Sequence, residues 1–316
     1  MEKKIVIITG ANSGIGKAAA TKFATNGHTV IMACRNMEIS SKAQKEIIEQ
    51  TQNTNVILMN LDVSSFQSIQ EFSSEFKSKF DRLDILIHNA AYFNHGEKQY
   101  QVSKDDIELT FATNTFGPFL MTQLLKDLLE KSEDPRILHA CTTNIRHFFN
   151  PKRKIDFDDL RGVYKGTKPY SSYKMYGDSK MALLMLTFKM ANAYEYDRIK
   201  VNAIQISATR ISKEKIKNFN SLWRVAATLQ TPFTSLPETV GETYYYICTS
   251  DEFKNTTGKL IDDKRKILQP SKYDDGITGS VKQFLDKNVY PKYADKQNLI
   301  EKVWELSSEL TKGAIK

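Results

Sequence analysis

Near its start the chain runs from four apolar residues, Ile5 to Ile8, through Thr9 into Gly10-Ala11-Asn12-Ser13-Gly14-Ile15-Gly16, and then into a segment of helical period. Three glycines between a strand and a helix demand a sharp turn that brings the backbone close to whatever lies in front of it, where side chains would collide. Amides at the helix N-terminus face that space, and the positive end of the helix dipole makes it attractive to phosphate. The spacing is G-x-x-x-G-x-G, not the G-x-G-x-x-G of many dinucleotide folds. A strand-to-helix turn also uses glycine for purely steric reasons, so position decides. Lying between a clear strand and a clear helix, Gly10, Asn12, Ser13, Gly14, Ile15 and Gly16 are read as the cradle of a dinucleotide pyrophosphate.

Beyond this loop, short apolar runs alternate with longer helical segments, the pattern of a parallel sheet covered on both faces. Seven strands are predicted over Lys4–Thr9, Thr29–Cys34, Val56–Asn60, Ile85–His88, Arg136–Cys141, Lys200–Gln205 and Lys259–Asp262. Helices are predicted near Gly14–Asn26, Met37–Thr51, Ser65–Phe80, Lys104–Glu130, Ser172–Tyr194, Lys213–Leu229 and Pro237–Ser250. The expected fold is α/β, a Rossmann-type doubly wound parallel sheet. No repeat or Gly/Ser/Pro-rich linker interrupts the alternation, so residues 1–316 read as one dinucleotide-binding domain with a C-terminal extension from about residue 270. That extension has a loop near Pro270–Gly279 and a last helix whose stripe, Leu299, Val303, Leu306 and Leu310, is expected to pack on the domain and not to lie on a membrane.

With 41% apolar residues the chain can build a sizeable core, and its longest apolar run, Met181 to Phe188, is interrupted at Thr187, too short to span a bilayer. The apolar start is too short for a signal-peptide core. Cys34, Cys141 and Cys248 lie far apart, with neither CxxC spacing nor a histidine at metal-ligand spacing, so no metal site is expected and the reducing cytoplasm fits. The formal net charge of +8 comes from scattered lysines, with short clusters at Lys152-Arg153-Lys154 and Lys264-Arg265-Lys266. Nucleic-acid binding would want a basic stripe interleaved with stacking aromatics, and none is visible.

A dinucleotide unit selective for NAD places a carboxylate at the end of its second strand to bond the ribose 2′-hydroxyl. Here the stretch reads Ala33-Cys34-Arg35-Asn36. With no acid to repel a 2′-phosphate and Arg35 able to clamp one, NADP(H) is expected over NAD(H). Asp62 is placed to accept from the adenine amino group, with Val63 beside the ring; alternatively it caps the helix starting near Ser65. Asn89-Ala90-Ala91 ends the fourth strand with small residues, as expected where a ribose lies against backbone.

Further along, Tyr176 and Lys180 stand four apart at the start of a helix and project from one face. A phenol near pKa 10 exchanges protons poorly at neutral pH, and a neighbouring ammonium favours its ionised form. That is a physical reason for the pair to act together in proton transfer.

In this order, the loop from Thr9 to Gly16, Asp62-Val63, Asn89-Ala90, Asn114 in Asn114-Thr115-Phe116-Gly117, and Tyr176 with Lys180 resemble the short-chain dehydrogenase/reductase family over nearly the whole chain. Ala33-Cys34-Arg35, the segment Ile155 to Leu160 and the tail Val303 to Ser307 are most similar to its retinol-dehydrogenase branch. The resemblance implies that Tyr176 is general acid in reduction and base in oxidation. It implies that Lys180 lowers the tyrosine pKa and holds the nicotinamide ribose, and that Asn114 binds a water linking Lys180 to solvent. It also implies a hydride transferred between nicotinamide and an alcohol or carbonyl.

Three positions depart from the family pattern. Thr142 stands where the family has its catalytic serine, and its hydroxyl can still donate to a substrate oxygen, though β-branching restricts its rotamers. After the sixth strand, Ile206-Ser207-Ala208-Thr209-Arg210-Ile211 replaces the usual Pro-Gly and threonine, leaving Thr209 as the substitute contact to the nicotinamide. Ala91 stands where glycine is usual. These changes keep open a second reading, a catalytically impaired dinucleotide-binding sensor or scaffold. Two aromatic stretches are candidate walls of an apolar pocket for a retinoid, steroid or other lipid-like substrate, or else pack their own loops. One carries His147, Phe148, Phe149, Phe157 and Tyr164; the other runs from Phe219 to Phe233 with Leu222, Trp223 and Leu229. Apolar Met181 to Leu186 faces either the core or a partner subunit of a homo-oligomer.

Overall fold

In the computed structural model, which describes residues 3–94, 97–161, 169–209, 234–274 and 276–315, the seven predicted strands form one parallel sheet. They are β1 (Ile5–Thr9), β2 (Thr29–Cys34), β3 (Val56–Asn60), β4 (Ile85–His88), β5 (Arg136–Thr142), β6 (Lys200–Ile206) and β7 (Leu260–Asp262), in spatial order β3-β2-β1-β4-β5-β6-β7. β1 pairs with β2 on one side (Ile8 with Met32) and with β4 on the other (Ile8 with Ile87). The chain therefore reverses its direction of winding at β1, and the crevice at the C-terminal ends of β1 and β4 is where an open sheet binds ligands.

Strand residues are buried on both faces, and their period of two assigns each to one of two cores. Val6, Ile8, Val30, Met32, Ile85 and Ile87 join a core with helices α1 (Gly14–Thr25), α2 (Met37–Thr51) and α7 (Pro237–Thr249). Ile7, Ile31 and Leu86 face the other core, built with α3 (Phe66–Lys79), the single-turn α4 (Leu109–Phe111), α5 (Gly117–Leu129) and α6 (Ser172–Ala193). The run Met181 to Leu186 is almost wholly buried within the chain itself, so its apolar character serves the core.

Three expectations change. The helix foreseen from Lys104 begins only at Leu109, because Asp106 takes φ +55°, which no α-helix accommodates, and Val102 bridges Glu108. Residues Ala112–Phe116 then form a π turn before α5 resumes. The foreseen loop near Pro270–Gly279 instead leads from β8 (Gln269–Pro270) into α8 (Ile277–Leu285), and β8 pairs in parallel with β9 (Val289–Tyr290). Helix α9 (Gln297–Thr311) packs as expected, burying Ile300 and Val303 and setting Trp304 edge-on to Phe119 at 5.2 Å. The helix foreseen over Lys213–Leu229 lies outside the described residues.

Candidate active site

At the end of β1 the glycine loop is held by backbone and by one asparagine. Gly10 takes φ +65° and donates its N–H to Ala33 O (2.8 Å), and Gly14 takes φ +55°. A Cβ on Gly16 would stand 2.3 Å from Gly10 O and 2.5 Å from Asn89 Nδ2. Asn89, from the end of β4, donates its amide Nδ2 to Thr9 O (2.9 Å) and accepts from the Tyr244 hydroxyl (3.2 Å). Thr9 Oγ1 in turn accepts from the backbone of Asn89 (3.0 Å) and Ala90 (2.9 Å). Asn89 and Ala90 thus tie the loop to β4 across the crevice.

In front of the loop there is room. A Cβ on exposed Gly14 would meet nothing within 4 Å, and the first turn of α1 carries no acidic side chain to oppose an anion. Ser13 is the N-cap residue, its carbonyl accepting from Lys17 N (3.3 Å); Asn12 Nδ2 donates to Ser40 Oγ (3.0 Å); Ile15 packs against the core beneath. The combination of positive-φ glycines, a position closed to any Cβ, and free space before a helix N-terminus fits a pyrophosphate.

Beyond β2, Arg35 extends into solvent, its side chain 71% exposed and 3.9 Å from Asp62 Oδ2. Asn36 is committed as the N-cap of α2, accepting from Ile39 N (3.0 Å). Asp62 is not a helix cap: Oδ1 accepts from Ser64 N (3.0 Å) and Ser64 Oγ (2.7 Å), while Ser65 caps α3. Its Oδ2 is turned toward Arg35. Val63 is buried, and its carbonyl passes so close to Gly117 that a Cβ there would stand 2.1 Å away.

On the opposite side of the crevice, Tyr176 and Lys180 project from the first turns of α6. The Tyr176 hydroxyl neighbours the Thr142 side chain at the end of β5, and Thr142 Oγ1 accepts from Asn144 N (3.2 Å). Lys180, 2% exposed, donates its ammonium to Ala140 O (2.7 Å). Burial pushes the Tyr176 phenol up to about 12, against the lowering effect of the Thr142 side chain, and pushes the Lys180 ammonium down to about 8. Burial is the dominant influence on the Tyr176 phenol, and the lowering expected from Lys180 is not among its causes. Both groups lose water, desolvation favours the neutral form of each, and the lysine is engaged with the strand. Behind Lys180, burial and the nearby ammonium keep His139 neutral, near 3, and hold His88 well below its usual range.

Asn114 sits in the π turn with its side chain fully engaged. Oδ1 accepts from Tyr92 N (2.8 Å), and Nδ2 donates to Tyr92 O (3.1 Å) and Ser179 Oγ (3.1 Å). A π turn carries one residue more than an α turn and leaves one of its carbonyls without a helical amide; such bulges recur at functional sites. The Tyr92 clasp also sets Phe93 face to face with Tyr176, ring centroids 4.5 Å apart and 9° from parallel. Sequence reasoning missed Phe93 and Tyr244; the aromatic pair directly after Asn89-Ala90-Ala91 is the signal for the first, whereas nothing local marks the second.

Of the replaced loop after β6, Thr209 donates to Ser207 O (3.1 Å) and bridges Ser235, while Ile211 lies outside the described residues. The foreseen aromatic wall after Thr142 is mostly spent on packing. Phe148 lies 4.8 Å from the Tyr293 ring and Phe157 beneath Lys302, while exposed His147 meets the Tyr173 hydroxyl (2.8 Å). Tyr164 and the Phe219–Phe233 wall lie outside the described residues.

A sheet of this order, with a glycine turn at its switch point and a Thr–Tyr–Lys cluster across the crevice, defines a nicotinamide-dependent oxidoreductase fold. The sequence profile of the short chain dehydrogenases matches residues 4–147, and that of enoyl-(acyl carrier protein) reductases matches residues 162–262. The chain is 32% identical to retinol dehydrogenase 13 of Homo sapiens over 278 residues, covering 87% of this chain and 81% of that one. It is 30% identical to the WW domain-containing oxidoreductase of Gallus gallus over 277 residues, 87% of this chain and 65% of that one. A short chain dehydrogenase of Shigella flexneri, solved with NADP, superposes with a TM-score of 0.63 at 22% identity, over 84% of this chain and 98% of that one. The chain belongs to the short-chain dehydrogenase/reductase family, enzymes that act on CH–OH or C=O groups.

Proposed function

We propose that the protein is an NADP(H)-dependent reductase of hydrophobic carbonyl compounds, running the reverse alcohol oxidation with the same residues. The observation that carries the reading is the Tyr176 hydroxyl beside the Thr142 side chain, with Lys180 buried one helical turn further along α6. When bound, the nicotinamide supplies or accepts the hydride. The chain supplies the rest. Thr142 stands beside the phenol and donates to the substrate oxygen; Tyr176, protonated at neutral pH as any phenol is, gives that oxygen its proton. Lys180 is the residue for the nicotinamide ribose, and the π turn at Asn114 is the place for the water through which the proton is replaced.

The cradle from Gly10 to Gly16 with Asn12, Ser13 and Ile15 binds the pyrophosphate; Asp62 and Val63 border the adenine; Asn89, Ala90 and Thr209 bound the path to the nicotinamide. The curated relatives named as retinol dehydrogenases and the neighbour solved with NADP point the same way. Arg35, extended and free of any carboxylate closer than 3.9 Å, is the residue for the 2′-phosphate. Its replacement by alanine is expected to weaken NADPH binding by about 1.5–3 kcal/mol, roughly tenfold to a hundredfold, and to leave NADH unchanged. Fluorescence titration with both nucleotides checks this, and an equal loss for both would remove Arg35 from that role.

Phe93 over Tyr176 makes the entrance apolar, which favours substrates with a flat hydrophobic body beside the carbonyl. Across a series of aldehydes and ketones, kcat/KM measured by NADPH oxidation should rise with apolar size, each added methylene contributing about 0.8 kcal/mol where it is fully buried. A preference for small polar carbonyls would overturn the substrate class. The free, buried cysteines fit operation in a reducing compartment such as the cytoplasm.

A further inference from the structure

Helix α8 has two unlike faces. Gln283 turns inward, donating to Phe149 O (3.2 Å) and accepting from Ser271 Oγ (2.7 Å), while Val281, Phe284 and Leu285 are 54, 55 and 71% exposed. The other large apolar side chains exposed among the described residues are scattered, so these three form a patch and not background. The helix is held in place. Arg146 donates to the carbonyls of Gln283 (3.1 Å), Asp286 (3.0 Å) and Val289 (3.2 Å). Between α8 and residues 146–152 lies an apolar groove of about 540 Å³, with Phe149 and Pro151 on its far wall and Lys152 at its rim.

Around this apolar patch the charge is mainly positive. Lys152, Lys282 and Lys287 are exposed; of the acids, Asp274 is exposed, whereas Asp286 accepts from the Tyr273 hydroxyl (3.0 Å) and Asn288 N (2.9 Å). A second copy of the chain would have to cover about 800 Å² per partner for a stable interface, more than three side chains on a nine-residue helix offer. An apolar tip ringed by lysines, on a chain of net charge +8, matches an anionic bilayer surface instead. We propose that α8 and residues 146–152 seat the protein on anionic lipid, with Val281, Phe284 and Leu285 entering the acyl boundary and the three lysines at the headgroups.

Co-sedimentation with vesicles of phosphatidylcholine alone and of phosphatidylcholine with phosphatidylserine tests this. Binding should favour the phosphatidylserine vesicles by about tenfold and weaken with added salt. The pair Phe284→Ser and Leu285→Ser should bring it to background, and Lys282→Glu with Lys287→Glu should lower it by about tenfold, while circular dichroism and NADPH binding stay as in the wild type. Wild-type protein that ignores both kinds of vesicle, or variants that bind as well as it does, would overturn the proposal. So would a wild-type dimer in solution that the serine pair converts to monomer without any lipid binding.

Discussion

Tyr176→Phe is expected to lower kcat by about 10²–10⁴-fold with any carbonyl the wild type reduces, while NADPH affinity changes only a few-fold. Phenylalanine keeps the ring that stacks on Phe93 and removes only the hydroxyl beside Thr142, the group proposed to transfer the proton. The measurement is single-turnover NADPH oxidation beside equilibrium titration, so that chemistry and binding are read separately. A variant with near wild-type kcat would transfer the proton role elsewhere. A wild type that binds NADPH yet turns over no carbonyl would favour the sensor or scaffold reading, in which Thr142 and the altered loop after β6 have ended catalysis.

Lys180→Met should raise the stability of the protein without nucleotide at pH 7 while abolishing turnover. The ammonium is buried and its pKa is depressed from the usual lysine range to about 8. Below pH 8 both folded and unfolded chains carry the proton, and folding must desolvate a charge. Between about pH 8 and the unfolded value near 10.5 the unfolded state binds more protons, so wild-type stability rises with pH through that window. Methionine is close in length and carries no charge, so it removes the penalty, roughly 3 kcal/mol at pH 7, less the hydrogen bond to Ala140 O. Denaturation followed at pH 7 and pH 9.5 checks both the sign and the window: the variant's advantage should shrink at the higher pH. An advantage unchanged between the two, or a variant less stable at pH 7, would show that the lysine is not a stored cost.

How much of this was legible beforehand follows from how local each cause is. The strands were, because residues such as Ile7 and Ile8 must be apolar on both faces of a covered sheet. So was the glycine loop, since the turn itself demands Gly10, Gly14 and Gly16. The late start of the helix at Leu109 was not, because it depends on Asp106 adopting φ +55°, which Asp tolerates but its local sequence does not dictate. Helix α8 was hidden by Gly276 and Gly279 and by its lack of a side-chain cap; Arg146, more than 130 residues earlier in the chain, closes its end instead. In the site, the i, i+4 spacing announced that Tyr176 and Lys180 share a helix face. It could not show that the ammonium would be drawn to Ala140 O, or that burial would dominate the phenol. Residue identity records which groups can interact; the neighbours that strip their water are set by the packing of distant elements.

The bonds that Asn89 makes to Thr9 O and from Tyr244 have a thermodynamic consequence for ligand affinity. Three segments far apart in the chain, β1, β4 and α7, converge on one amide, so the glycine loop is already fixed before anything binds. The conformational entropy of ordering that loop is lost once, on folding, and does not recur as a penalty on each association event. Loosening this knot, as with Tyr244→Phe, therefore acts on affinity through the fraction of molecules that are competent to bind.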